Sequence, residues 1–401
     1  MDKYFKSLNS FLTSKVGAFF ILLPFVKPAA ELTGRFDIFF DLWKLFAAFL
    51  IFVGCSRTLH KASWVLYWII SLQATILVST FINGGDIKAA IVQVVSVTSI
   101  CIYFDYCLRI NQYKAISTLM MPLVFMALLT VATMILYYPE GMYTVGETSK
   151  GYVEHQNYLW GFDNSSIFNF IPGMYLMGLY SLMRNRRKTN IIVLIVFLLI
   201  AFAFLYVFSI TAFLGCFTIV FVFVLLLFLK KRIRFLSTRN LLLIVVVVSL
   251  ILLIAKDNIK ILMDFAIRND KYFSIKARFN IWNNVINYWK DSPLLGYGIE
   301  DKIDLSRKIG IDHPHNFFMD VLYRAGIMGV ISIIGLFSNL IRGKWNDSHV
   351  NAFSSVVVFV LILISQFDFY NDHYLFYPVL IVAFYSKFFA NDKRLNFDAI
   401  R

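Results

Sequence analysis

The chain is a succession of apolar runs of roughly 20 residues joined by short polar segments. In hydrocarbon such a run can pair its backbone N–H and C=O groups only with each other, so it must be a helix. That feature excludes most folds before any motif is considered. Of the 401 residues, 59% are hydrophobic and 15% charged, whereas soluble domains sit near 45–50% apolar and about 25% charged. The expectation is an all-α polytopic integral membrane protein, one membrane domain over residues 1–401.

Apolar runs fall near 16–26, 39–55, 63–82, 89–108, 116–138, 166–183, 191–208, 211–229, 240–255, 325–341, 350–366 and 374–390, which predicts about 12 transmembrane helices. The first follows Lys3, Lys6 and Lys15 as a signal peptide would, but the KPAAEL after it is a poor cleavage site, so it reads as a first span. Residues 190–229 carry no charge between the basic stretches RNRRK and KKRIR. They are long enough to cross twice, so they read as a hairpin with Ser209, Ile210 and Thr211 at its outer tip.

The net charge of +14 has the same origin. Arg57 and Lys61, Arg109 and Lys114, RNRRK, KKRIR, Arg342 and Lys344, and Lys393 and Arg394 fall in short loops on one side, as positive-inside segments do. Both termini are then cytoplasmic. No basic patch interleaved with aromatic residues occupies a soluble domain, so no nucleic acid partner is expected. Cys55, Cys101, Cys107 and Cys216 lie in or beside apolar runs and read as packing residues. Two outer loops are long, 139–165 and 256–324, and the later one is the largest polar segment, expected to carry short helices.

That loop ends in IDHPHNFFMDVLYRAGIMGV, residues 311–330. Pro314 suits the first turn of a helix, with Asp312 or His313 as its cap, and the helix should run to about Arg324 before Gly326 relaxes the chain. Asp320 and Arg324 are spaced to pair on one face. His315 and Asn316 would sit in the first turn, where the helix dipole favours an anion. A histidine there is a candidate general base, because its pKa lies near working pH; the alternative is an interfacial histidine without chemistry. His313 and His315 lack a carboxylate or cysteine spaced to complete a metal shell, so neither metal nor cofactor is expected.

Upstream, RFNIWNNVINYWKDSPLLGYG, residues 278–298, places Ile281, Val285 and Trp289 at helical spacing and stops at Pro293 and the Gly296/Gly298 turn. Arg278 opens this amphipathic helix. It either clamps a phosphate or snorkels at lipid headgroups. Asp163, Asn164, Asp368, Asp372 and His373 could line a sugar path or be solvated loop residues, while Asp41, Lys44 and Asp105 are expected to snorkel at span ends.

Segment 278–329 resembles the signature region of the O-antigen ligase and polysaccharide repeat-unit polymerase superfamily. The resemblance rests on Arg278, Ile281-Trp282, the Pro293-Leu294-Leu295-Gly296-Tyr297-Gly298 turn, His315-Asn316, and Gly326-Ile327-Met328-Gly329. It implies a glycan transferase that takes its donor from an undecaprenyl-diphosphate carrier at the outer face of the bacterial cytoplasmic membrane, inverting and independent of metal. It makes His315 and Arg278 catalytic, with Asn316 and His313 contacting substrate. Many members carry a second arginine at the tip of a mid-chain hairpin, where this chain has Ile210 in Ser209-Ile210-Thr211-Ala212. Arg268, Lys276, Arg307 and Arg324 are the candidates to replace it.

The leading expectation is a polymerase of lipid-linked oligosaccharide units of a capsular, O-antigen or exopolysaccharide. A ligase to a lipid or protein acceptor is the nearest alternative. A lipid-linked glycan transporter is the competing class, disfavoured because charges gather in an outer loop and leave the spans nearly bare. Expected partners are the lipid-linked oligosaccharide, membrane lipids, and the flippase and chain-length regulator of the same pathway.

Overall fold

The computed structural model describes residues 2–26, 37–138, 143–147, 153–157, 161–162, 166–207, 209–228, 237, 239–245, 247, 272–342, 348–367 and 374–389. Among the described residues the fold is helical apart from one antiparallel hairpin in the first long loop, β1 Tyr143–Glu147 against β2 Val153–Asn157. The N-terminal helices α1 (Asp2–Leu12) and α2 (Lys15–Leu22) form a pair bent by 75°. Then come α3 (Asp37–Cys55), α4 (Trp64–Ile82), α5 (Ile87–Ile110), α6 (Gln112–Tyr137), α7 (Ile167–Arg184), α8 (Arg187–Tyr206) and α9 (Ile210–Phe228). The C-terminal third contributes α10 (Tyr272–Trp289), α11 (Lys302–Ile309), α12 (Phe317–Ile341), α13 (His349–Ile364) and α14 (Phe376–Ser386).

Helix starts follow the local sequence. Ser63, Asp86, Asn111 and Ser348 precede α4, α5, α6 and α13, and each accepts a hydrogen bond from a first-turn N–H at 2.9–3.2 Å. The expected mid-chain hairpin is present: α8 and α9 pack together, with Val207 and Ser209 in the turn.

The count of about 12 spans is not confirmed. Among the described residues seven helices are long and apolar enough to cross a membrane, or up to eight if the bent N-terminal pair counts as one span. The difference has a physical reason. The runs near 350–366 and 374–390 fold as helices of 16 and 11 residues, short of the roughly 20 a bilayer needs. α7 is 18 residues long and buried at every position from Ile167 to Leu179; with Asn169, Pro172, Ser181 and Arg184 in it, it is less apolar than the seven and is a core helix. The run near 240–255 lies largely outside the described residues.

Two snorkelling expectations are also corrected. Asp105 is fully buried, accepting hydrogen bonds from Ser63 N–H (3.1 Å) and the Tyr385 hydroxyl (3.0 Å), with the Arg109 guanidinium 3.7 Å away. It joins α4, α5 and α14 at one point, because a carboxylate inside a bundle persists only where donors surround it. Lys44 is buried, its ammonium 3.7 Å from Asp41, which is exposed.

The packing has two centres. A large apolar core runs through the bundle. A small second cluster gathers Phe279, Ile281, Trp282, Val285, Leu305, Ile309, Met319 and Tyr323 from α10, α11 and the start of α12. That small core holds the polar loop as a compact cap, and it positions the site.

Candidate functional site

The site is built on a break in a helix. Gly326, inside α12, has φ 54 and ψ −149, a conformation essentially reserved for glycine. The break strands the N–H groups of Ile327 and Met328 and the carbonyls of Tyr323 and Arg324, which lose their helical partners. The turn 293–298 supplies replacements. Ile327 and Met328 donate to the Pro293 and Leu294 carbonyls (2.9 and 3.1 Å), and the Tyr323 and Arg324 carbonyls accept from Tyr297 and Gly298 N–H (2.7 and 3.0 Å). The fit leaves no room for side chains: a Cβ on Gly296 would lie 2.3 Å from the Tyr323 carbonyl oxygen, and one on Gly326 2.6 Å from the Leu294 carbonyl carbon.

α4 clamps the other side of this turn. Ser79 Oγ and Asn83 Nδ2 donate to the Gly296 carbonyl (2.9 and 3.0 Å), and Thr80 Oγ1 accepts from Ile299 N–H (2.9 Å). The Pro-Leu-x-Gly-x-Gly and Gly-x-x-Gly portions of the motif are therefore architecture. They fasten the cap to α4 and α12.

The His-Asn turn sits at the N-terminal end of α12. The helix starts at Phe317 with Asn316 as its cap, later than the expected start at Pro314 with Asp312 or His313 capping. Asn316 Oδ1 accepts from Phe318 and Met319 N–H (2.9 and 3.1 Å), which satisfies two first-turn donors at once, while Asp312 is engaged by His313. Asn316 Nδ2 donates to the Gln366 carbonyl (3.0 Å) and Phe317 N–H to the Ser365 carbonyl (2.8 Å), tying the turn to the end of α13. Trp282 Nε1 donates to the Pro314 carbonyl (3.1 Å), fastening α10 from the opposite side.

His315, thus bracketed, lies before the helix and has φ 53, a left-handed conformation that costs a non-glycine residue about 1 kcal/mol or more. Its Nδ1 lies 3.0 Å from His313 Nε2, and His313 Nδ1 lies 2.6 Å from Asp312 Oδ1. The two imidazoles meet edge to face, centroids 3.9 Å apart. The hydrogen bond from His313 holds the Asp312 carboxyl below the usual carboxylate range, against partial burial.

Arg278 is half-buried on α10. It stands four residues before Trp282, so both project from one face of the helix, and Trp282 is bonded to the residue next to His315. The other cations are placed differently. Arg324 is buried and its Nε donates to Asp320 at 2.8 Å, the pairing the spacing predicts. Arg307 is exposed on α11 and pairs with Asp304 at 3.2 Å. Arg268, the Lys276 side chain, Asp163, Asn164, Asp368, Asp372 and His373 lie outside the described residues. Ile210 opens α9 and is 61% exposed. Among the described residues no group of three or more His, Cys, Asp or Glu is arranged to hold a metal ion.

Two participants escape a reading of the motif alone. Glu300 accepts from the Tyr323 hydroxyl and pairs with Lys308, whose ammonium lies 4.4 Å from the Tyr297 ring centroid. Asp312 is the other; its signal was the unbroken string Asp312-His313-Pro314-His315-Asn316.

Comparison with known families points in the same direction. Residues 194–334 match the family model Wzy_C, O-antigen ligase. Over that stretch, about a third of its length, the chain is similar to the O-antigen ligase family. The match runs from α8 through the helix break in α12, and so contains Arg278, the turn, Asp312, His315 and Asn316. Enzymes of this ligase and polymerase-like superfamily transfer glycans, and the apolar helices make the protein membrane-embedded. No curated protein matches the chain.

Proposed function

We propose that the protein polymerises lipid-linked oligosaccharide units of a surface polysaccharide, using an undecaprenyl-diphosphate-linked glycan as donor. The reading is carried by the turn 312–316, which bears His315 and is hydrogen-bonded through the Pro314 carbonyl to Trp282, one helical turn from Arg278 on α10. In this reading His315 takes the proton of an acceptor sugar hydroxyl as its oxygen attacks the donor's anomeric carbon from the face opposite the diphosphate. The carbon–oxygen bond to the diphosphate breaks, the new glycosidic bond forms with inversion, and the carrier leaves as its diphosphate. In this reading Arg278, with its planar, permanently charged fork, meets the charge growing on that leaving group. Asn316 acts through the turn it caps, and His313 through His315.

The same reading puts the cap on the outer side of a bacterial cytoplasmic membrane and both termini inside, supported by the basic clusters of the short loops. A flippase would deliver the units and a chain-length regulator would limit their number. Arg307, exposed on α11, is the described cation best placed to meet a second phosphate, since Arg324 is buried against Asp320. A ligase reading is favoured by the name of the matched family and uses the same chemistry with a different acceptor.

The test is the length distribution of surface and lipid-linked glycan in cells lacking the protein, complemented with wild type or with His315→Asn. Asparagine tolerates the left-handed conformation that His315 adopts, so this variant removes the base and keeps the turn. Single units in place of long chains, unrescued by the variant, are the expected result. Long chains stranded on the lipid carrier would make the protein a ligase, and full rescue by the variant would remove His315 from the chemistry.

A further inference from the structure

We propose that Asp312 and His313 are positioning residues for His315, a chain in which an acceptor-only carboxylate dictates which nitrogen of His315 is left unprotonated. The proposal rests on the transferase reading, adds Asp312 to it, and says how His313 acts on His315. The argument starts from valence. A carboxylate can only accept, so at 2.6 Å it takes the Nδ1–H of His313. A neutral His313 then has only a lone pair at Nε2, and at 3.0 Å that lone pair accepts the Nδ1–H of His315. A neutral His315 must therefore carry its own lone pair at Nε2, the nitrogen turned away from His313. One tautomer of the catalytic ring is selected from two bonds away.

Three further observations favour a built device over a chance contact. Asp312 is held in the ionised form the argument needs by the hydrogen bond from His313, and Lys302 on α11 adds to the effect. His315 holds φ 53, a backbone conformation disfavoured for a non-glycine residue, and its ring packs edge to face on His313. The turn carrying all three residues is fastened on both sides, through Trp282 and Asn316, so the chain is rigid. During transfer the hydroxyl proton binds His315 Nε2 while Nδ1–H stays shared with His313. The cationic pair of rings is then balanced by the Asp312 carboxylate, and the proton leaves from Nε2 to water or to a diphosphate oxygen.

The experiment uses the full-length protein in detergent micelles with 15N-labelled histidine, and reads ring tautomers by NMR at a pH above the point where the histidine signals stop shifting. The signals missing from His315→Asn assign His315. Wild type should show His315 as the Nδ1–H form. In Asp312→Asn, whose amide can donate as readily as accept, the Nε2–H form should appear, and glycan polymer made by membranes carrying this variant should fall about 10–100-fold. Asp312→Glu, which restores an acceptor-only group, should recover the wild-type tautomer and at least part of the polymer. An unchanged tautomer in Asp312→Asn would overturn the proposal, as would equal polymer from Asp312→Asn and wild type. A tautomer controlled by Asp312 together with full polymer from His315→Asn would leave the relay standing and remove the transferase role of His315.

Discussion

Asn316 spends its whole side chain on holding two chain segments together. Its oxygen caps α12 and its amide reaches the Gln366 carbonyl beyond α13. Asn316→Ala should therefore lower stability by about 1–3 kcal/mol, one cap plus one buried hydrogen bond, seen as an earlier thermal transition of the purified protein. Asn316→Asp keeps the cap and should fall between, because its carboxylate cannot donate to Gln366. Equal stability in all three proteins would remove the capping role. Arg324 and Asp320 form a buried pair, so Arg324→Met alone, which leaves a buried carboxylate short of its cation, should cost about 3–5 kcal/mol. The double variant Asp320→Leu with Arg324→Met should recover much of that loss, and no recovery in the double would mean that Asp320 is held by other groups. Spacing was enough to predict the Asp320–Arg324 pair, which is local to one helix. It could not tell a cap from a substrate contact at Asn316, because Gln366 stands 50 residues away in sequence.

At the scale of elements, the helix break in α12 and the turn that fills it form one unit. Neither is stable alone: the break leaves four backbone groups without helical partners, and the turn supplies four in return. A methyl at Gly326 or Gly296 would strike backbone, which cannot swing aside as a side chain can. Gly326→Ala and Gly296→Ala should each destabilise by more than about 2 kcal/mol, through strain at positive φ as well as overlap. Because both break the same unit, their effects should be strongly non-additive in the double variant. Additive losses, measured by thermal aggregation in detergent, would show that the turn and the break are independent. The glycines are plain in the sequence as a spaced pattern. Their reason is not, because it lies in a contact between two segments about 30 residues apart and in the approach of α4 from some 200 residues away.

For the whole molecule, the open question is which side of the membrane the cap faces, and the cysteine content makes it answerable. All four native cysteines are buried and unpaired, so an impermeant maleimide should label the wild-type protein little. A cysteine at Arg307, exposed on α11, samples the cap; a cysteine at Arg186, exposed in the α7–α8 turn, samples the basic stretch RNRRK, which the charge rule expects on the cytoplasmic side. The class of fold was legible because hydrocarbon permits little else to a chain with such runs. The number of spans was not, since an apolar run does not fix the length of the helix it forms: those near 350–366 and 374–390 fold as helices of 16 and 11 residues. Sidedness is carried by the short-loop charges, which act during insertion and leave no trace in the packing. In intact spheroplasts Arg307→Cys should label at once and Arg186→Cys only after the membrane is permeabilised. The reverse order would place the cap in the cytoplasm. An outward-facing lipid-linked donor would then be out of reach of His315, and the polymerase reading would fall with it.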